Sequence, residues 1–295
     1  MELRHIAERE GRLSGFLHRE LNMSTGLINR LKYREGLLVD GVPVHTNYPV
    51  RPGQEIRVLL DEETPEYPAE EMDLSVLYED EDLIALDKPA GMLIHPSRNR
   101  DRGTLANGLA WYYRETGQKC AFHPVSRLDR DTYGVVLLAK NSHVHALMNE
   151  EHRLGRIQKT YHALVYGGPE AETGLIDAPI ERLPLPSLLR RVGEGGKPSR
   201  TEYRVLERRQ GGTLLELRPL TGRTHQLRVH CSYMGWPILG DPQYGSEESM
   251  ALSRRLGLTS QALCAKKLRF FHPMTGGELE LTSKLEVPKE LLDEQ

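Results

Sequence analysis

The 295-residue chain reads as an α+β protein with a mixed, largely antiparallel sheet, preceded by a small α+β module. Three observations carry that reading. Strand patterns come joined by tight turns, as in "LLVDGVPV" and "TEYRVLERRQGGTLLELRPLTG", and not in repeated β-α-β units, so neighbouring strands should run antiparallel. Helical spacing of apolar residues is confined to a few short stretches. Finally, "DEETPEYPAEEMD", residues 61–73, is too acidic and proline-rich to supply a core, so it reads as a linker between residues 1–60 and 74–290.

In the first part, "GRLSGFLHREL" places Leu13, Phe16, Leu17 and Leu21 at helical spacing. "STGLINRLKYREG" begins at a capping Ser24 and ends at Gly36, which predicts a second helix with Arg30, Lys32 and Arg34 on or near it. "LLVDGVPV" is strand, Asp-Gly turn and strand, and "YPVRPGQEIRVLL" adds another turn and strand. The larger part opens with two β-rich runs in "SVLYEDEDLIALDKPAGMLIHPS", interrupted at "KPAGM". "TLANGLAWYYRETG" and "NSHVHALMNEEHR" predict helices, and "YGVVLLAK" and "IQKTYHALVYG" predict strands. Residues 169–200, rich in Pro and Gly, are expected to be loop. "THQLRVHCSYMG" fits either period, but Thr224 as cap and Gly235 as stop favour a helix.

Hydrophobic residues make up 38% of the chain, and no apolar run approaches the ~20 residues that span a bilayer, so no membrane association is expected. "MELRHIAERE" has no apolar signal-peptide core. Cys120, Cys231 and Cys264 form no C-x-x-C pair and read as reduced thiols of a cytoplasmic protein, expected to be a monomer. The net charge of −3 hides an uneven distribution. Residues 61–82 hold eleven acids and no base, so removing those eleven negative charges from −3 leaves +8 on the rest. A basic body of this kind suits a polyanion such as RNA, although a merely solvated surface explains it equally well.

The loop "GEGGKPS", residues 193–199, lacks the Ser or Thr and the following helix of a phosphate loop, and reads as flexible. His225 and His230 have no metal-ligand spacing, and His95, His123 and His272 each precede a proline, so neither metal nor cofactor is expected. No G-x-S-x-G elbow is present. What remains is "HPVSRLDRDTYGVVLLAK", where Asp129 stands between Arg127 and Arg130 just before an apolar strand. An ion-paired aspartate at a strand edge would explain it. So would a reactive site, because nearby arginines keep a carboxylate ionised. Arg223 or Arg228, from the arginine-dense "RPLTGRTHQLRVHC", could be its partner. Tyr161 lies on a strand near Lys159, as a sheet-face tyrosine or as part of a site.

"RLDRDTYGVVLLAK", "KTYHALVYG", "TGRTHQLRVHCSYMGWPILGDPQYG" and "LYEDEDLIALDKPAGMLIHP", taken together, resemble the RluA family of RNA pseudouridine synthases over most of 74–290. The first sixty residues resemble an S4-type RNA-binding domain, with Ser14 and Thr25 where that domain usually carries an acidic and a basic residue. The family signature, His-Arg-Leu-Asp-x-x-Thr-Ser-Gly, is met here with Ser126 for the His and Tyr133 for the Ser. The resemblance implies isomerisation of uridine to pseudouridine in RNA: N1–C1′ breaks, C5–C1′ forms, and no redox cofactor is needed. It also implies that Asp129 is the catalytic carboxylate, attacking C1′ or C6 or removing a sugar proton. Arg127 would hold or replace a flipped nucleotide, Tyr161 would stack on the uracil, and Arg228 would pair with Asp129. Arg30, Lys32 and Arg34 would contact RNA. Ribosomal RNA is the expected substrate, with transfer RNA as the alternative. A glycoside- or nucleoside-cleaving hydrolase with Asp129 as nucleophile and a non-catalytic RNA-binding protein are the competing classes.

Overall fold

The computed structural model describes residues 2–97 and 101–292. In residues 2–60 a four-stranded antiparallel sheet of order β1-β6-β3-β4 joins β1 (Glu2–Ile6), β3 (Leu37–Val39), β4 (Val42–Pro43) and β6 (Glu55–Leu59). A small pair, β2 (Gly11–Arg12) and β5 (Pro49–Val50), lies beside α1 (Leu13–Arg19) and α2 (Thr25–Lys32). The Ser24 hydroxyl accepts the Leu27 N–H at 3.2 Å, capping α2 as expected. Leu13, Phe16 and Leu17 of α1 and Leu27, Ile28 and Leu31 of α2 share one core with Leu37, Ile56 and Val58. Strand β1 is absent from the sequence reading, because the charges in "ELRHI" mask its alternation; only Leu3 is buried there.

Residues 61–73 form no regular element, yet they are tied down along their length. Asp61 bridges Arg30 and Arg34, each at 3.2 Å. Glu62 reaches Lys119 at 2.7 Å, Glu63 accepts the Ser142 N–H at 3.0 Å, and Glu70 accepts the Gly103 N–H at 2.8 Å. Composition suggests a solvated connector; the acids instead find cations and free amides on both sides of it.

The larger unit holds one ten-stranded sheet. It contains β7 (Val76–Glu79), β8 (Leu83–Lys88), β9 (His123–Pro124), β10 (Tyr133–Ala139), β11 (Gln158–Tyr166), β12 (Thr173–Asp177), β15 (Arg200–Arg209), β16 (Gly212–Pro219), β17 (Leu263–Phe271) and β18 (Glu278–Thr282). The order is β12-β15-β16-β11-β17-β10-β8-β7, with β18 on β17 and β9 on β10. Every pairing is antiparallel except β10 with β17. The sheet is therefore mixed and largely antiparallel, as the hairpin pattern predicts. Helices α3 (Leu105–Glu115), α4 (Ser142–Arg153), α5 (Gln226–Tyr233) and α6 (Glu247–Arg255) complete the unit.

Three expectations need correction. Residues 169–200 are not all loop: β12 extends the sheet, and β13 (Ile180–Arg182) pairs with β14 (Arg190–Val192). Prolines and glycines punctuate these short strands and hide them. The glycine-rich 193–199 stretch is anchored where Lys197 and Ile180 exchange backbone hydrogen bonds of 2.9 and 3.0 Å. Helix α5 starts one residue later than Thr224 would dictate. His225 occupies the N-cap position in the left-handed region, at φ +58°, with no side-chain cap. Beyond that, α6, β17 and β18 lie where the sequence reading assigns no element.

Candidate active site

Asp129 sits in the loop that delivers the chain into β10. Its carbonyl accepts the Thr132 N–H at 3.2 Å, closing a turn. Thr132 is fixed by Gln261, whose Nε2 donates to Thr132 Oγ1 at 2.7 Å. Next along, Gly134 has φ +108°, and a Cβ there would lie 2.4 Å from the Ala265 carbonyl oxygen, so only glycine lets β10 approach β17 this closely. On the other side, Ser126 Oγ accepts the Leu137 N–H at 3.1 Å. Tyr133 turns into the core, with its hydroxyl donating to the Glu286 carbonyl at 3.3 Å. Both departures from the family signature thus have packing or hydrogen-bonding roles of their own. Beneath the loop, the ammonium of Lys88, which is fully buried, donates to the carbonyls of Pro89, Met92 and Arg130, each at 2.9 Å.

The Asp129 carboxylate, 31% exposed, faces a cleft of about 1380 Å³. Arg228, on α5 and 5% exposed, donates from Nη1 to Asp129 Oδ2 at 3.0 Å. The same guanidinium is gripped from behind. Nε and Nη2 donate to the two oxygens of buried Asp241 at 2.7 and 2.8 Å, and Nη2 also donates to Gln243 Oε1 at 2.7 Å. Its Cζ lies 4.9 Å from the Tyr244 ring centroid. The carboxylates raise the pKa of Arg228 despite its burial, which opposes them. Asp241 in turn accepts the N–H groups of Gln243 and Tyr244 at 3.0 and 3.2 Å. Thus the backbone after α5 aims Asp241, which aims Arg228, which aims Asp129.

His225 is a second neighbour, with Nε2 3.8 Å from Asp129 Oδ2. Its Nδ1 lies 2.8 Å from the Tyr244 hydroxyl, which already accepts the Arg190 N–H at 3.0 Å. The arrangement is satisfied when the phenol donates to Nδ1 and the imidazole carries its proton on Nε2, facing Asp129. Burial lowers the His225 pKa, keeping the ring neutral. Arg228 and His225 both approach Oδ2; Oδ1 accepts no hydrogen bond among the described residues.

Tyr161 lies on β11 and lines the same cleft, so the structure gathers Asp129, Arg127, Tyr161 and Arg228 in one place. Burial raises its phenol pKa, helped by the Asp129 charge, so Tyr161 offers a neutral ring. Arg127 is exposed at the cleft wall and makes no ion pair or hydrogen bond among the described residues. Nine arginines and lysines but four acids line the cleft, an excess that favours an anionic occupant. The other three cations named from the sequence lie elsewhere. Arg30 and Arg34 are clasped by Asp61, and Lys32 Nζ sits 5.0 Å from the Tyr33 ring centroid.

Sequence reasoning misses Asp241, Gln243 and Tyr244, and it sets His225 aside with His230. For His230 that reading fits, since its ring joins Thr201 Oγ1 and the Ala178 carbonyl in the core. Asp241 follows a glycine in "GDPQYG", a segment with no helix or strand period. Its only sequence signal is a carboxylate near an arginine-rich block. A different cluster, Asp80, Asp82 and His272, brings ligand-type atoms within 4.8 Å of one another. His272 Nδ1 accepts two backbone N–H groups at 3.2 Å, so Nε2 holds the proton and faces Asp80 at 2.9 Å. Asp80 Oδ1 accepts the N–H groups of Asp82 and Leu83. These contacts describe a turn with a neutral imidazole beside a carboxylate better than a metal cage.

Comparison with known proteins gives the site its context. The sequence model of the RNA pseudouridylate synthase family matches residues 82–233. An uncharacterized RNA pseudouridine synthase of Bacillus subtilis (strain 168) is 38% identical over 253 residues, covering 84% of this chain and 82% of that protein. Ribosomal large subunit pseudouridine synthase D of Nitrosomonas europaea is 38% identical over 242 residues, covering 81% of this chain and 70% of its own. Human RNA pseudouridylate synthase domain containing 1 superposes with a TM-score of 0.62 at 28% identity, over 74% of this chain and 86% of that one. The matched segment contains Asp129, Tyr161 and Arg228, and the chain belongs to the RluA family of RNA pseudouridine synthases, enzymes that isomerise uridine to pseudouridine within RNA.

Proposed function

We propose that this enzyme modifies uridine in ribosomal RNA, with Asp129 as its reactive carboxylate. The substrate reading draws on the relatives described as ribosomal large subunit synthases. The single observation that carries the site is the Asp129 carboxylate, half-open to a basic cleft and held through Oδ2 by a buried arginine. Arg228 holds Oδ2 and leaves Oδ1 to react, at C1′, at C6, or on a sugar proton. Whichever is attacked, the balance is the same: N1–C1′ breaks, C5–C1′ forms, and C5 gives up a proton while N1 takes one. The uridine must leave its stack to reach Oδ1. Tyr161 then stacks on the uracil, a contact worth about 1–3 kcal/mol. Arg127 holds the flipped nucleotide or fills the place it vacates. Residues 1–60 act as an S4-like RNA-binding domain through Arg30, Lys32 and Arg34, joined through 61–73 to a catalytic domain over 74–290. The enzyme works as a cytoplasmic monomer.

Asp129→Asn is the test. It keeps the shape and removes the charge, so RNA binding and folding should persist while tritium release from C5-labelled uridine in RNA stops. Wild-type release in a single turnover by the Asn variant would refute the role of Asp129. Release of free uracil in place of retained product would point to a hydrolase instead.

A further inference from the structure

Lys159 stands two residues before Tyr161 on β11, and both line the cleft. Its side chain is half-buried, and its recorded polar contact is His152 Nε2 on α4, at 3.2 Å. No carboxylate pairs with it among the described residues. Of the four acids in the cleft wall, Asp129 pairs with Arg228, Glu216 with Arg204 and Arg218, and Glu280 with Lys267, while Glu202 is exposed on β15 and does not pair with Lys159. On β17, the cations Lys267 and Arg269 are likewise neutralised by Glu280 and Glu278. Burial disfavours the Lys159 ammonium, and the charge of Arg127 adds to that by repulsion. Two like charges without counter-ions therefore face one cleft beside the ring expected to hold the base. Left in that state they cost the fold free energy, because each disfavours the other and Lys159 is also desolvated.

We infer that Lys159 and Arg127 together bind a phosphodiester of the RNA strand next to the target uridine. A phosphodiester carries one negative charge and acceptor oxygens enough for both donors, which the neutral uracil does not. RNA supplies such a group at every nucleotide, so one must pass near a base held on Tyr161. Lys159 gives the point charge and Arg127 the planar fork. His152 accepts one Lys159 N–H and restricts where the ammonium points; burial and the Lys159 charge both keep that imidazole neutral. Burial and Arg127 bring the Lys159 pKa down to about 8 in the free enzyme. An arriving phosphate favours the ammonium and drives it back up. Affinity should then be highest below that value and fall as pH rises through it.

This inference rests on the placement of the uridine against Tyr161 and Asp129, and the test separates the two. Full-length wild type, Lys159→Gln and Lys159→Arg are compared on one uridine-containing, C5-tritiated RNA, reading the dissociation constant and the single-turnover rate. Lys159→Gln should weaken binding about tenfold or more. Its plot of log affinity against log salt should be shallower by about 0.7, one phosphate contact on a single strand. The rate at saturating RNA should stay near wild type. Between pH 7 and 9, wild-type affinity should drop and that of Lys159→Arg should not; the RNA's own titration is common to both. Unchanged affinity and salt slope in Lys159→Gln would overturn the inference. So would a lost saturating rate with unchanged affinity, which would place Lys159 in the chemistry. If Lys159→Gln does not fold, the pH comparison with Lys159→Arg decides alone: equal pH dependence in the two overturns it. Absence of tritium release from wild type would strike the uridine assignment instead and leave the binding comparison readable.

Discussion

At the scale of single residues, the site is a relay of aim: Asp241 fixes Arg228, and Arg228 fixes Asp129. Asp241 is fully buried, so replacing it strands a buried guanidinium with less negative charge around it. Asp241→Asn should lower stability by about 3 kcal/mol or more, seen in denaturant melts. It should also cut the single-turnover rate at saturating RNA, because Arg228 is free to turn away from Asp129. A variant with the full wild-type rate would show that Arg228 needs no support from behind. Asp129 draws attention in the sequence because a carboxylate between two arginines beside an apolar run is unusual, whereas Arg228 is singled out over Arg223 only by the family resemblance. Asp241, Tyr244 and His225 are singled out by neither. Their importance comes from meeting across a turn, and His225's left-handed backbone leaves no mark in the sequence.

Among the elements, hairpins are the easiest to read, since a turn dipeptide between alternating runs has one local solution. Strand β10 is equally plain, being almost wholly apolar. What the sequence hides is where β10 goes. Its only parallel partner is β17, more than a hundred residues later, and the contact is made at Tyr133 and Gly134. Gly134→Ala tests that junction. The added methyl meets the Ala265 backbone at 2.4 Å in a conformation that L-residues avoid. Overpacking and backbone strain together should cost about 3 kcal/mol. Activity should fall with it, because the Asp129 turn hangs from the same strand start. Lys88→Met probes the opposite edge of that loop: three carbonyls lose their shared donor, and about 1–3 kcal/mol of stability should go for each left unsatisfied. Full stability in that variant would mean that water takes the place of the ammonium.

Across the whole molecule, the acidic stretch shows how composition can mark a segment and still miss its contacts. Seven acids in thirteen residues announce a segment that joins no core. They do not announce that Asp61 holds Arg30 and Arg34, or that Arg30 also reaches Ser142 at 3.4 Å on the larger unit. Such pairings join distant positions and have no period to detect. They change what the basic helix should do. Arg30→Ala with Lys32→Ala and Arg34→Ala should weaken RNA binding and flatten its salt dependence. Asp61→Asn should do the reverse, tightening binding by up to about fivefold, since exposed pairs are worth about 1 kcal/mol at most. Unchanged affinity in both variants would mean that this helix never meets RNA.

The Asp61 clasp also bears on how ions are counted. A phosphate that takes Arg30 and Arg34 from Asp61 evicts a counter-ion that is covalently part of the protein. The cation condensed on that phosphate is still released, but salt weakens the Asp61 clasp as well as the phosphate contact, so the two dependences partly offset. A salt titration of the wild-type enzyme would therefore report fewer phosphate contacts than the complex contains, and the missing ones would surface when Asp61 loses its charge.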